Sequence, residues 1–270
     1  MGLPACGGLA RLPWAPLPET HRACNAARLI DYDAIATCYA EHRAASPRVV
    51  AHLVGSVPLP PGRILEIGCG TGNHLRALAA AWSAQGAGFD RSAGMLAEAR
   101  ARGTRLDLRE GDASERFPFD DASFDLAFSV DVIHYIDDLP DFFAEARRVL
   151  RPGGTVVTVT DSPEDIRARS LSRYFPETVE VELRRYPAIE AIAAAMVAGG
   201  LQVAGVTHTA WRAPMALDQA RKFRAKAFSS LRLIPEESFQ AGLARLEAAH
   251  AEGKAELVEV YTYLWGRRSS

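Results

Sequence analysis

The sequence is poor in sulfur, with four cysteines and four methionines in 270 residues. Cys6, Cys24, Cys38 and Cys69 form no Cys-x-x-Cys pair, and none stands at metal-ligand spacing from a histidine. Neither a disulfide framework nor a metal site is expected, and free thiols point to a reducing, cytoplasmic setting. Long apolar runs are also missing, so no membrane span and no membrane partner is expected. Net charge is nearly absent, because 31 basic residues face 33 acidic ones and leave −2. No global positive field draws such a chain to nucleic acid, and the arginines between 167 and 185 are the one candidate for a local basic patch. The opening MGLPACGGLARLPWAPLPET has no basic stretch ahead of a continuous apolar core, and its prolines interrupt any helix. It reads as a loose arm over 1–25 rather than a targeting signal. Cys6 stands where a myristoylation pattern requires Ser or Thr.

What is present is an ordinary globular composition, 48% hydrophobic and 24% charged, at a length that fits one large domain or a core with insertions. The most informative stretch is RILEIGCGTGNHLRAL, residues 63–78. It predicts a strand over 63–67, a turn with three glycines spaced two apart, and a helix near 72–82 with Leu75, Leu78 and Ala79 on one face. Ahead of it, DYDAIATCYAEHRAASPRVVAHLVGSV predicts two short helices meeting at Pro47, and PLPPG a rigid connection. Behind it, strands and helices alternate: GAGFD ending at Asp90, a helix from Ser92, the short strand in LDLREGD, and the buried strand FDLAFSV at 124–130. The amphipathic helix DLPDFFAEARRVL follows, expected to stop at Pro152-Gly153-Gly154, and then the β-branched strand at 155–161. Such alternation implies a parallel sheet with ligands outside the carboxyl ends of its strands. The positions to examine are then Gly68 to Gly72, Asp90, Asp112, Ser129 to Tyr135, and Asp161. Beyond 161 the pattern changes. Residues 162–200 read as mostly helical, 201–211 as strand, 214–253 as helical with a break at Pro235, and LVEVYTYLWG as a closing strand.

Three ligands compete for the glycine turn. A dinucleotide fingerprint needs Gly or Ala at position 73, where Asn73 stands, and a P-loop needs a Gly-Lys pair that is absent. What remains is Gly68-x-Gly70-x-Gly72 preceded by Glu66. LEIGCGTG resembles motif I of the class I S-adenosylmethionine-dependent methyltransferases. GFDRS, EGDA, FDLAFSVDVIHYIDD and EARRVLRPGGTVVTVT resemble that family's later motifs in order, so the likeness runs from Arg63 to Asp161. It implies an α/β fold: a Rossmann-like, doubly wound, mostly parallel sheet with helical lid insertions after the fifth and sixth strands. The corresponding division is the arm at 1–25, N-terminal helices and cofactor-binding core at 26–161, and the rest of the sheet with substrate-binding insertions at 162–270.

The implied cofactor is S-adenosyl-L-methionine. It has no phosphate at this turn, so the glycines would serve close backbone approach rather than anion binding. Asp90 would accept the ribose hydroxyls with Arg91 beside it, and Asp112 with Ala113 would sit at the adenine. Ser129 ends the fourth strand in the same set. Glu66 would lie near the methionine end, or else pair with an arginine. YDAIATCYAEHR resembles a helix placed over the cofactor, bringing Tyr39, His42 and Arg43 to the site, with an amphipathic surface helix as the alternative. His134 is the candidate catalytic residue, as a general base or as packing against the cofactor. Tyr135, Tyr174, His208 and Trp211 are candidates for the acceptor pocket, each equally able to be core.

No Asn/Asp-Pro-Pro-Tyr motif follows the fourth strand, which disfavours nucleic acid as substrate. The expected reaction is in-line methyl transfer to a small-molecule acceptor. Two alternatives stand beside it: a cofactor-binding member of the fold that does not methylate, and an RNA or protein methyltransferase.

Overall fold

The computed structural model describes residues 31–103 and 105–270, so the expected arm at 1–25 lies outside the described residues. Five strands run in parallel: β1 (Arg63–Ile67), β2 (Gln85–Asp90), β3 (Asp107–Glu110), β4 (Phe124–Val130) and β5 (Leu150–Thr160). Two more, β6 (Gln202–Pro214) and β7 (Glu256–Arg267), join antiparallel to give the order β3-β2-β1-β4-β5-β7-β6. The strand order reverses between β1 and β4. Loops leaving the carboxyl ends of these two strands diverge to opposite faces, and a crevice opens between them.

The sheet is buried on both faces because its strands carry apolar residues at successive positions. In β1, Leu65 and Ile67 face one core with Phe89, Phe124, Phe143 and Ile192. Ile64 faces the other, with Leu53, Leu75, Leu78 and Trp82. The second layer comes from α2 (Pro47–Ser56) and α3 (Asn73–Trp82), and the first from α5 (Leu139–Val149) and α9 (Ile189–Ala198). Helix α1 (Tyr32–His42) lies against α4 (Ala93–Ala101) through Ile35, Ala36 and Met95. Asp33 Oδ1 fastens that contact, accepting from Ser92 Oγ at 2.6 Å and the Gly94 amide at 2.8 Å.

The two insertions build a small core of their own over the carboxyl ends of the strands. Helices α6 (Pro163–Ala168), α7 (Ser170–Tyr174) and α8 (Glu177–Arg185) follow β5, while α10 (Leu217–Arg224) and α11 (Glu236–Ala251) lie between β6 and β7. Phe175 is fully buried at their centre, stacked between Phe223 and Phe239 at 5.8 Å each. No described helix is long and apolar enough to cross a membrane.

Two expectations need correction. The run Pro152-Gly153-Gly154 does not stop the helix. α5 ends at Val149 and β5 starts at Leu150, so the run lies inside the strand, with Gly153 at φ 77° and a register shift against β4. The residue before a proline is driven to extended geometry, which starts the strand early. Residues 189–198 are helical as expected but are no part of a lid. Ile192 and Met196 pack in the main core, and a Cβ on Gly199 would sit 2.8 Å from the α5 backbone at Phe143 and Ala144.

The lid core yields a stability prediction. A Cβ on Gly242 of α11 would enter the Phe175 ring, 2.9 Å from Cγ and closer to Cδ1 and Cε1. Alanine ordinarily gains about 1 kcal/mol over glycine in a helix, whereas overpacking costs about 1–3 kcal/mol. Since Phe175 is held on both faces it cannot step aside. Gly242→Ala should therefore lose stability in urea denaturation, and a gain would show that the ring yields.

Candidate functional site

The site is built from the turn between β1 and α3. Gly68, Gly70 and Gly72 all have positive φ (67°, 49° and 68°), a region that costs side-chain-bearing residues strain. At Gly68 a Cβ would also meet Val132 Cγ2 at 2.7 Å, and at Gly70 it would meet nothing within 4 Å, so that backbone is open. Gly72 is the N-cap of α3 and has no side chain to cap it. Glu66 does so instead. Alternation along β1 points it toward α3, where its Oε2 accepts from the Leu75 amide at 2.9 Å, the third residue of the helix. Burial pushes the Glu66 carboxyl well up, and the nearby Asp90 adds to this while the Leu75 amide opposes it. His74 faces Glu66 Oε1 at 4.0 Å through Nδ1 and accepts the Ser46 amide at Nε2, 3.0 Å away. Burial, with Arg43 nearby, lowers its pKa to about 4.

Asp90 at the end of β2 holds the turn from the other side. Its Oδ2 accepts from the Gly70 amide at 2.7 Å and its Oδ1 from Ser92 at 2.9 Å. Each carboxylate oxygen keeps a second lone pair, so the group can still accept two hydroxyls. Asp112, after β3, accepts the Ser114 amide at 2.8 Å.

A cavity of about 590 Å³ runs from this turn to the lid. Gly68, Gly70, Asp90, Arg91, Asp112 and Ala113 line one end. Tyr39 and Arg43 of the α1 end reach the same cavity, as do His134, Tyr135 and Trp211. Arg43 pairs with Asp131 at 3.6 Å and lies over the Tyr39 and Phe228 rings. Trp211 is covered by Arg48, 4.1 Å from the ring centre. The Tyr135 hydroxyl meets that of Tyr32 and accepts from Arg185 at 3.1 Å. The side chain of His42 lies outside the described residues.

His134 is 7% exposed, stacked on Tyr186 at 4.2 Å, and neither ring nitrogen has a hydrogen-bond partner among the described residues. Burial lowers its pKa well below the usual histidine range, and Arg185 and Arg169 push the same way. It is a neutral imidazole at physiological pH.

Five sequence candidates do not reach the cavity wall. Glu66 and Gly72 shape the turn from behind it. Ser129 is buried against Thr158, hydroxyl to hydroxyl at 2.9 Å. Tyr174 packs in the lid core and bonds the Glu256 backbone. His208 is exposed on the edge strand β6, bonded to Thr262. For Ser129, Tyr174 and His208 the partner that removes the side chain from the site is distant in sequence.

Sequence reasoning passed over the charged roof. Arg169, half-buried, bridges the buried Asp161 and Glu182, and Tyr186 also lies on the wall. The only signal was the arginine-rich run near 167–185 and the position of Asp161 at a strand end. Asp131 fell within the stretch 129–135 marked for examination but was given no role of its own. It stands at φ 57°, a conformation tolerated by aspartate better than by most residues.

The donor set fits a cofactor with a ribose diol and an aminoacyl arm. An open glycine backbone lies at the strand ends, and a two-oxygen acceptor faces it. Residues 65–158 match the family described as "Methyltransferase domain". A 27-O-demethylrifamycin SV methyltransferase of Amycolatopsis mediterranei is 34% identical over 117 residues, 41% of this chain and 43% of that protein. A malonyl-[acyl-carrier protein] O-methyltransferase of Xylella fastidiosa is 39% identical over 110 residues, 39% of this chain and 37% of that protein. The chain thus spans less than half the length of these curated relatives. A solved structure from Anabaena variabilis, described as a presumed methyltransferase of an antibiotic biosynthesis pathway, superposes with a TM-score of 0.67 at 23% identity. That match covers 83% of this chain and 98% of the other. Motifs, family match and relatives agree that residues 65–158 are similar to class I S-adenosylmethionine-dependent methyltransferase domains, and the solved structure shares the fold.

The buried histidine at the turn generates a pH prediction. His74 titrates at about 4 when folded and near 6.5 when unfolded. On acidification the unfolded chain takes up the proton first, so this contribution to stability is present above about 6.5 and lost as pH falls toward 4. The full difference corresponds to roughly 3 kcal/mol. His74→Gln should therefore lose less stability than wild type between about pH 6.5 and 4.5. Parallel melting curves for the two proteins would contradict the assignment.

Proposed function

We propose that this chain transfers a methyl group from S-adenosylmethionine to a small-molecule acceptor bound between the strand ends and the helical lid. One observation carries the reading. A single cavity has the glycine turn and Asp90 at one end and an aromatic, ion-lined chamber under the lid at the other. Its volume, about 590 Å³, lies in the range of small-molecule sites. A net charge of −2 offers little to a phosphate backbone. The proposed setting is the reducing cytoplasm, which the free, buried thiol of Cys69 supports.

In this reading Asp90 receives the ribose hydroxyls, and Gly68 and Gly70 let the backbone approach the aminoacyl arm. Asp112 and Ala113 flank the adenine, and Arg43 faces the arm's carboxylate. Bound there, the cofactor supplies an electrophilic methyl carbon on a sulfonium. The protein's part is alignment and exclusion of water. Helices α7 and α8, the α10 segment and α1 close over the strand ends, and Tyr32, Tyr135 and Arg185 join α1 to the lid through side-chain contacts. Orientation alone can supply on the order of 7 kcal/mol of a bimolecular barrier. His134, neutral and unpartnered at the wall, can accept one hydrogen bond and donate another without bringing charge next to a sulfonium.

Calorimetric titration tests the reading at its base. S-adenosylhomocysteine should bind and NAD should not. Asp90→Ala should weaken binding by about 1.5–3 kcal/mol, the cost of losing hydrogen bonds to a charged group. Binding of NAD with no heat from S-adenosylhomocysteine would sink the reading, and wild-type affinity in Asp90→Ala would take Asp90 out of the site.

A further inference from the structure

The carboxyl end of β5 carries the best-defined unfilled polar position in the cavity. Asp161 is 2% exposed and lines the chamber. Its Oδ2 is taken by Arg169, while Oδ1 is fully buried with no partner among the described residues. Arg169 is committed on its other side to Glu182. A carboxylate oxygen withdrawn from water and left unbonded is unfavourable for a purely structural group, and it demands a donor. The sheet order separates that donor from the ribose. Asp90 ends β2, and β1 and β4 lie between it and β5, so Asp161 is about 14 Å away at ordinary strand spacing. The position belongs to the acceptor's end of the cavity.

We propose that Asp161 is a catalytic residue whose free oxygen binds the hydrogen of the acceptor's nucleophile and takes it as the methyl group transfers, so that the acceptor is a hydroxyl or an amine. The inference rests on the methyl-transfer reading above. A bond forms from the acceptor's O or N to the methyl carbon as the carbon–sulfur bond breaks, its electron pair staying on sulfur. The acceptor's proton passes to Asp161 Oδ1, leaving a neutral thioether, a methyl ether or methylamine, and a protonated carboxyl.

The groups around Asp161 suit it to that work. Burial raises its pKa to about 7; Arg169 opposes the rise, and Asp131 at the end of β4 and Asp165 of α6 add to it. Glu182 and Tyr186 face Arg169 from the lid. Asp165 is itself tied to Thr262 of β7. A base poised near neutrality removes protons efficiently, whereas His134, held well below its usual range, is the weaker base.

The test uses the full chain saturated with S-adenosylhomocysteine and a panel of phenols, alcohols and amines, each paired with its own methyl ether or fully methylated amine. By calorimetry, some donor-bearing members should bind roughly tenfold or more tighter than their methylated partners. That preference should strengthen as pH rises through about 7, where Asp161 ionises. Asp161→Asn should abolish this pH dependence and most of the preference, while S-adenosylhomocysteine binds as in wild type. If that variant does not fold, the wild-type protein serves. The carbon-13 carboxyl resonance of Asp161 should move on addition of a binding donor and not of its methylated partner. Equal binding within every pair, no binding by any member, or a preference intact in Asp161→Asn would overturn the proposal. Failure of S-adenosylhomocysteine itself to bind would instead remove the reading beneath it, and this proposal with it.

Discussion

Two carboxylates hold a glycine turn from opposite sides, and the site depends on that arrangement. Glu66 reaches forward from β1 to the Leu75 amide, and Asp90 reaches across from β2 to the Gly70 amide. Between them lie three residues at positive φ that no side chain could stabilise from within. Both acids are buried and both have raised pKa values, so each is costly to ionise and is compensated by backbone amides. The turn then presents open backbone at the point where the strand order reverses. Gly88 of β2 belongs to the same constraint. A Cβ there would meet Cys69 at 2.9 Å, so the neighbouring strand must also be bare where the turn passes over it.

The far end of the cavity is organised on a different principle. Its walls are aromatic, and its charges are arranged in opposed pairs: Arg43 with Asp131, and Arg169 between Asp161 and Glu182. Pairs withdrawn from water, wholly or in part, are weak contributors to stability, because desolvation cancels much of the attraction. What they do is fix positions. Arg169 joins the end of β5 to α8, so the lid has a definite seat on the sheet, and the stack around Phe175 makes the lid a packed unit rather than a loose cover. Among the described residues the lid core shares none with the two sheet cores, so it packs as a separate apolar unit.

Much of the cofactor half was legible in the chain. Period-2 and period-3.6 patterns locate β1 to β5 and their helices, and the glycine spacing with Asp90 and Asp112 marks the strand ends. These are local signals: each follows from the side chains of one element, or from a turn that only glycine can make. The exceptions are instructive. The run at Pro152 is a strong helix-breaking signal, yet pairing with β4 on either side of it and backbone bonds from Gly153 and to Gly154 at Arg268 draw it into a strand. Ser129 sits near a strand end as expected but bonds Thr158, because the two are register partners on β4 and β5 and project to the same face of the sheet.

The sequence by itself determined the doubly wound sheet, the order of its cofactor-side motifs and the helical character of both insertions, because periodicity and turn chemistry act within a few residues. Only the tertiary structure decided which polar residues face the cavity. Tyr174 and His208 were drawn away by Glu256 and Thr262, while Arg169, Glu182 and Tyr186 were brought over the strand ends. Such pairings reach 82 residues along the chain for Tyr174, and even for Arg169, whose partner Asp161 is 8 residues away, no local pattern encodes which carboxylate it will meet.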